Sequence, residues 1–115
     1  MNDDWKKRPW GKFCVIQDKD NYKIKKLSIN PKSRISYQFH KKRSEVWIVV
    51  SGIASVIIND KESNYSYGQV VEIPVGSKHR IENKTNNKLE IIEIQHGSYF
   101  GEDDIVRIED DWGRK

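Results

Sequence analysis

Gln38, His40, Glu45 and His79 combine two imidazoles, one carboxylate and one amide oxygen, a donor set suited to a divalent cation. Gln38 and His40 lie two residues apart in a β-rich run, so both side chains point to one face. Glu45 opens the next run after a short basic loop and can return to the same end of the sheet. His79 follows Pro74-Val75-Gly76, a sharp entry into a further strand. Facing a barrel interior, the four predict a metal site in which each imidazole needs its second ring nitrogen hydrogen-bonded. A late run alternates Ile92 and Ile94 with Glu93 and Gln95. With the isoleucines turned outward, Glu93 faces the barrel interior, where desolvation would suit it to proton transfer. Pairing of Glu93 with a lysine such as Lys25 is the alternative. Lys25 shares a face with Leu27 and Ile29 and can project its charge inward.

Short strands must position these groups, because helical periodicity is nearly absent. The β-rich runs cover residues 12–17, 22–29, 34–40, 46–51, 54–59, 69–73, 79–83 and 89–95. Turn signals separate them at Asn30-Pro31, Ser51-Gly52, Asn59-Asp60, Tyr67-Gly68 and Pro74-Val75-Gly76. About eight strands at near-regular spacing predict an antiparallel sandwich or barrel, which also removes exposed sheet edges. The segment after Gln95 lacks alternation. It is expected to be irregular, to lie across the barrel with a short helical turn, and not to add a central strand.

The length of 115 residues predicts a single domain, 1–115, with one hydrophobic core. The net charge of +4 raises the question of anionic partners, but acids interrupt the basic residues and no recognition motif accompanies them, so nucleic acid is not expected. The longest apolar run, Val46–Val50, is far too short to span a bilayer, and no secretory h-region precedes RPWG. A cytoplasmic setting is the expectation. Cys14, in the run FCVI, excludes an intramolecular disulfide and reads as a buried, inert thiol.

The spacings around the ligand set are specific. Four residues separate His40 from Glu45, and six separate Glu45 from Gly52. Gly68 is followed by five residues, Pro74, one residue, Gly76, two residues, His79, three residues and Asn83. These resemble the two motifs of the cupin superfamily. The resemblance implies an all-β, single jelly-roll (double-stranded β-helix) barrel. The first motif departs twice, with Lys32 where glycine is usual and Gln38 in place of a histidine.

The segments RPWGKF, YKIKKLSINPKSRISYQFH, SEVWIVVSG, IPVGSKHRIEN and GSYFGEDDIVRIEDDWGR further resemble the C-terminal domain of type II mannose-6-phosphate isomerases. That family accommodates Gln38, since phosphomannose isomerases use Gln, His, Glu and His around zinc. The resemblance implies a zinc-dependent aldose–ketose isomerase acting on mannose 6-phosphate and fructose 6-phosphate, feeding GDP-mannose and polysaccharide synthesis. Glu93 is then the candidate base. Arg107 is assigned a catalytic and phosphate-binding role, and Lys25, Arg80 and Arg114 are the further candidates for substrate binding. Arg80 enters only through the family's His-Arg pair, since alternation turns it away from His79. Lys41 and Lys42, where the family often carries further histidines, are given no role. A homodimer is expected by analogy, with a separate guanylyltransferase as a pathway partner; no Gly-rich nucleotide loop supports transferase activity in this chain. The alternatives are a non-catalytic sugar-phosphate-binding cupin and a cupin isomerase or epimerase acting on a nucleotide-linked sugar.

Overall fold

The computed structural model describes residues 4–113. Two sheets face each other. The first has the order β1-β2-β3-β11-β6-β9, from Lys6–Arg8 (β1), Gly11–Asp18 (β2), Tyr22–Ile29 (β3), Leu89–Gly97 (β11), Arg43–Ser51 (β6) and Val70–Ile73 (β9). The second has the order β12-β5-β10-β7-β8, from Ile105–Glu109 (β12), Tyr37–His40 (β5), His79–Asn83 (β10), Ala54–Ile58 (β7) and Lys61–Tyr65 (β8). The two-residue β4, Ser33–Arg34, also pairs with β10. All pairings are antiparallel, and the whole is the expected jelly roll.

Period-two alternation builds both the core and the site. On β6 the inward residues are Arg43, Glu45, Trp47 and Val49; on β11 they are Leu89, Ile91, Glu93 and Gln95. The register sets Val49 against Ile91, Trp47 against Glu93, and Glu45 against Gln95. Each inward row therefore runs from apolar to polar, and the polar ends coincide. The apolar end packs Ile29, Val49, Ile81, Leu89 and Ile91, all buried, each contributing about 1.5–3 kcal/mol of transfer free energy. The other end of the barrel is left for chemistry.

Three differences from the sequence reading have local causes. The run 34–40 is interrupted: Ile35 and Ser36 separate β4 from β5. β8 lies outside the β-rich runs because KESNY is polar; it is an exposed edge strand that, among the described residues, pairs with β7. The C-terminal segment is more regular than expected, with one 3-10 turn at Glu102–Asp104 followed by β12, which adds to β5 at the sheet edge.

Motif residues hold the turns. Gly52 has φ of +94°, and a Cβ there would lie 2.9 Å from the Lys88 carbonyl oxygen, so both backbone and packing demand glycine. Lys32 takes φ of +56° without the glycine, a conformation that costs an L-residue roughly 1–2 kcal/mol. Its Nζ donates to the Lys84 carbonyl at 2.6 Å. Asn83 is fully buried; its amide nitrogen donates toward the carbonyls of Ile29, Asn30 and Asn87, and its Oδ1 accepts from Thr85 N and Oγ1. Asn83→Ala would leave several of these buried groups unpaired and is expected to cost about 3 kcal/mol, read as a lower urea midpoint with an unchanged slope. A change within experimental error would show that water replaces the amide.

Candidate metal centre and pocket

β5, β6 and β10 bring His40, Glu45 and His79 together, with candidate ligand atoms all within 4.8 Å of one another and each residue buried. His40 Nε2 lies 3.3 Å from Glu45 Oε2, and His79 Nε2 lies 3.7 Å from Glu45 Oε1. The imidazole centroids are 5.0 Å apart, and Trp47 packs edge-on against His79. His79 Nδ1 lies 2.9 Å from the Ser77 carbonyl oxygen. A carbonyl only accepts, so Nδ1 carries the proton and Nε2 keeps a lone pair.

These atoms fit a cation. His79 Nε2 and Glu45 Oε1 are buried without a hydrogen-bond partner among the described residues, as are His40 Nδ1 and Gln95 Oε1. Unpaired lone pairs at this depth are costly, and a divalent ion would satisfy those that converge. Gln38 sits opposite His79 in the β5–β10 register and lines the adjoining pocket, but its Oε1 accepts a 2.7 Å hydrogen bond from Ser36.

Burial governs the protonation of this group. It lowers His40 to about 3, helped by the positive charge of Arg43 and by His79. It also lowers His79, with Ser77 and Glu93 opposing the shift. Burial and the neighbouring Glu93 push Glu45 up to about 8, against the pull of Arg43 and Lys25. Metal-free protein therefore keeps both imidazoles neutral and a proton on Glu45 near neutral pH.

A pocket of about 90 Å³ meets this group at Glu45, with Arg8, Lys25, Gln38, Glu93 and Arg107 also in its lining, while His40 and His79 stand behind Glu45 and do not line it. Glu93 accepts from Trp47 Nε1 at 3.0 Å and from Gln95 Nε2 at 2.7 Å, one donor on each oxygen. Lys25 faces Glu93 across the β3–β11 pair, and its Nζ lies 4.7 Å from the Phe13 ring centroid. Burial lowers the Lys25 pKa, and Glu93 partly offsets this. Both members of the expected alternative thus line the pocket. Arg107 stands opposite Gln38 in the β12–β5 register, with its Nε unpartnered among the described residues.

Arg80 requires a correction: it does not line the pocket. Strand alternation turns it away from His79, and its guanidinium donates to the Ile35 carbonyl at 3.0 Å and toward Glu109. It fastens β12 to the sheet instead. Arg114 lies outside the described residues.

Arg8, Arg43, Gln95 and Asp104 also belong to this region, although no motif spacing marks them. Arg8 reaches the pocket from β1 and meets Glu102 at 3.3 Å, a pairing across almost the whole chain. Arg43 is buried, with Nε 3.2 Å from Glu45 Oε2 and NH1 3.2 Å from the Phe100 carbonyl. Its place two residues before Glu45 was a usable signal, since alternation puts both on one face. Asp104 is buried within the 3-10 turn. Burial opposes its ionisation, but hydrogen bonds from the Lys41 and Lys42 backbone and the nearby His40 and Arg43 hold it below the usual carboxylate range.

Comparison with known proteins places this geometry among relatives. The family model for the mannose-6-phosphate isomerase C-terminal domain matches residues 3–110. The alginate biosynthesis protein AlgA of Pseudomonas aeruginosa is 45% identical over 107 residues, 93% of this chain and 22% of that protein. A mannose-1-phosphate guanylyltransferase of Klebsiella pneumoniae is 38% identical over 93% of this chain and 23% of its own length. The chain thus spans under a quarter of these relatives. Among solved structures, oxalate decarboxylase from Bacillus subtilis superposes with a TM-score of 0.82 at 16% identity, covering 93% of this chain and 30% of that one. KdgF from Halomonas sp. gives 0.77 at 13% identity, covering 84% and 89%. At these identities the structural likeness speaks for the fold alone. No helix among the described residues is long and apolar enough to cross a membrane.

Proposed function

The chain belongs to the mannose-6-phosphate isomerase C-terminal family, and from that premise we propose that its pocket interconverts mannose 6-phosphate and fructose 6-phosphate with a divalent metal, zinc first. The observation that carries this reading is the adjacency of a buried His40–Glu45–His79 set to a carboxylate, Glu93, inside a pocket lined by Arg8, Lys25 and Arg107. His40, Glu45 and His79 would hold the ion, with Gln38 completing the set by releasing Ser36. Bound there, the ion would polarise the sugar carbonyl and stabilise negative charge on the C1 and C2 oxygens.

The chain's own residues supply the rest. Glu93 removes the C2 proton of the open-chain aldose and delivers it to C1, while the O2 hydroxyl proton passes to O1. Trp47 and Gln95 hold the Glu93 carboxylate in one orientation before substrate arrives, which lowers the entropic cost of the transfer. Lys25 places positive charge beside the oxygens that exchange a proton. Arg8 and Arg107 offer guanidinium groups to the phosphate. The transferase named for the Klebsiella relative is assigned to the part of that protein outside this chain's span.

Zinc-loaded protein is expected to convert mannose 6-phosphate in a coupled assay and to lose that activity on chelation. Zinc binding with sugar-phosphate affinity but no turnover would instead favour a binding cupin. Activity that survives chelation would overturn the metal-dependent reading. The acid–base state of the site adds a second expectation. Zinc must displace the proton on Glu45, so affinity should climb by about tenfold per pH unit from pH 6 towards 8 and flatten above it. His40 contributes no slope there, being neutral throughout that range. Competition titrations against a chromophoric chelator would read this slope, and a flat profile would remove Glu45 from the ligand set.

A further inference from the structure

Resting on the metal-centre reading above, we infer that Asp104 is a positioning residue whose carboxylate sets the loop between His40 and Glu45 and so tunes metal affinity from outside the pocket. Only four residues, Lys41 to Ser44, join these two candidate ligands. The loop belongs to no strand at Lys41 and Lys42, so no sheet ladder takes up these two amides. Asp104 closes that gap. Its Oδ1 accepts from Lys41 N at 3.1 Å and its Oδ2 from Lys42 N at 3.0 Å, so one carboxylate straddles two consecutive amides. The residue is 7% exposed, which shields these bonds from competing water.

The same stretch of chain grips the loop at further points. Ser98 N donates to the Lys42 carbonyl at 3.3 Å, and the Phe100 carbonyl accepts from Arg43. Gly97 approaches so closely that a Cβ there would lie 2.4 Å from the Lys42 carbonyl oxygen. β12 then continues from Asp104 and pairs Ile105 directly with His40. Residues 97–105 thus form a strap whose contacts fall on the loop and on the strand carrying His40. Asp104 is its charged anchor. Such an arrangement decides the distance and angle between the His40 and Glu45 donors, and cations discriminate sharply on that geometry.

The test compares wild-type protein, Asp104→Asn and the exposed neighbour Asp103→Asn, using zinc alone as the probe. Calorimetry is expected to show a loss of about 10–100-fold in zinc affinity for Asp104→Asn and none for Asp103→Asn. Melting is followed with and without zinc. A positioning role lowers the zinc-bound form's stability more than the metal-free form's. Equal losses in both forms, or unchanged zinc affinity, would show a merely structural anchor and overturn the inference. Should Asp104→Asn fail to fold, amide exchange in the wild type decides. Zinc is expected to slow exchange at Lys41 and Lys42, because coupling between loop order and metal is reciprocal; no change at those amides rejects it. If wild-type protein binds no zinc or other divalent cation, the metal-centre reading itself fails, and the inference falls with it.

Discussion

Glu93→Gln is expected to lower kcat for mannose 6-phosphate by roughly 10³-fold while zinc content and melting temperature stay close to wild type. The substitution is isosteric and keeps an oxygen to accept from Trp47 Nε1, and the new amide nitrogen is satisfied once the Gln95 amide turns to present its otherwise unpartnered Oε1. The proton-accepting oxygen is what disappears. Without it the C2 proton loses the acceptor that Trp47 and Gln95 hold in place, and the remaining rate reflects polarisation by the metal and substrate positioning. KM is expected to move little, because Glu93 contributes to a proton transfer more than to ground-state binding. Loss of deuterium exchange at C2 in heavy water would follow the same pattern. A variant that retains most of its turnover would transfer the base role elsewhere, with Lys25 the next group to test because it faces Glu93 across the sheet.

Glu45→Gln separates metal from fold more cleanly than replacing a histidine would. Zinc affinity should fall at least about 100-fold and isomerisation should drop to background, since the only carboxylate of the candidate set becomes an amide. Metal-free stability should behave in the opposite sense. The pKa of Glu45 is raised in the folded state to about 8, so the stability linked to this group is fully present below its unfolded value and is lost as pH rises through 8. Glutamine carries no titrating proton and avoids that loss. The metal-free variant should therefore gain in melting temperature relative to wild type as pH goes from 6 to 9. A variant that binds zinc as tightly as wild type would remove Glu45 from the centre. A variant that loses relative stability with rising pH would show that its charge is held by Arg43 rather than penalised by burial.

Much of this architecture is legible in local pattern. A strand repeats every two residues, so Glu93 and Gln95 declare their common face, and the turn residues from Gly68 to Gly76 place His79 at the start of β10. The motif spacings identify His40, Glu45 and His79 without coordinates. Even the departure at Lys32 is absorbed, because the backbone there keeps the left-handed conformation that a glycine would take more cheaply. The polar strand β8 and the ordered β12 escaped because neither carries the apolar alternation that marks a core-facing run.

What the sequence by itself determined is the barrel, its alternation, and the identity of the residues that meet at its polar end. The tertiary structure alone decided which cations reach that end. It brought Arg8 across from the N-terminal strand to Glu102, sent Arg80 to the C-terminal strand, and set Asp104 on the loop between two candidate ligands. The physical reason is range. Side-chain direction along a strand follows from backbone geometry within a few residues, whereas the placement of long charged side chains depends on strands and termini that meet only once the barrel has closed.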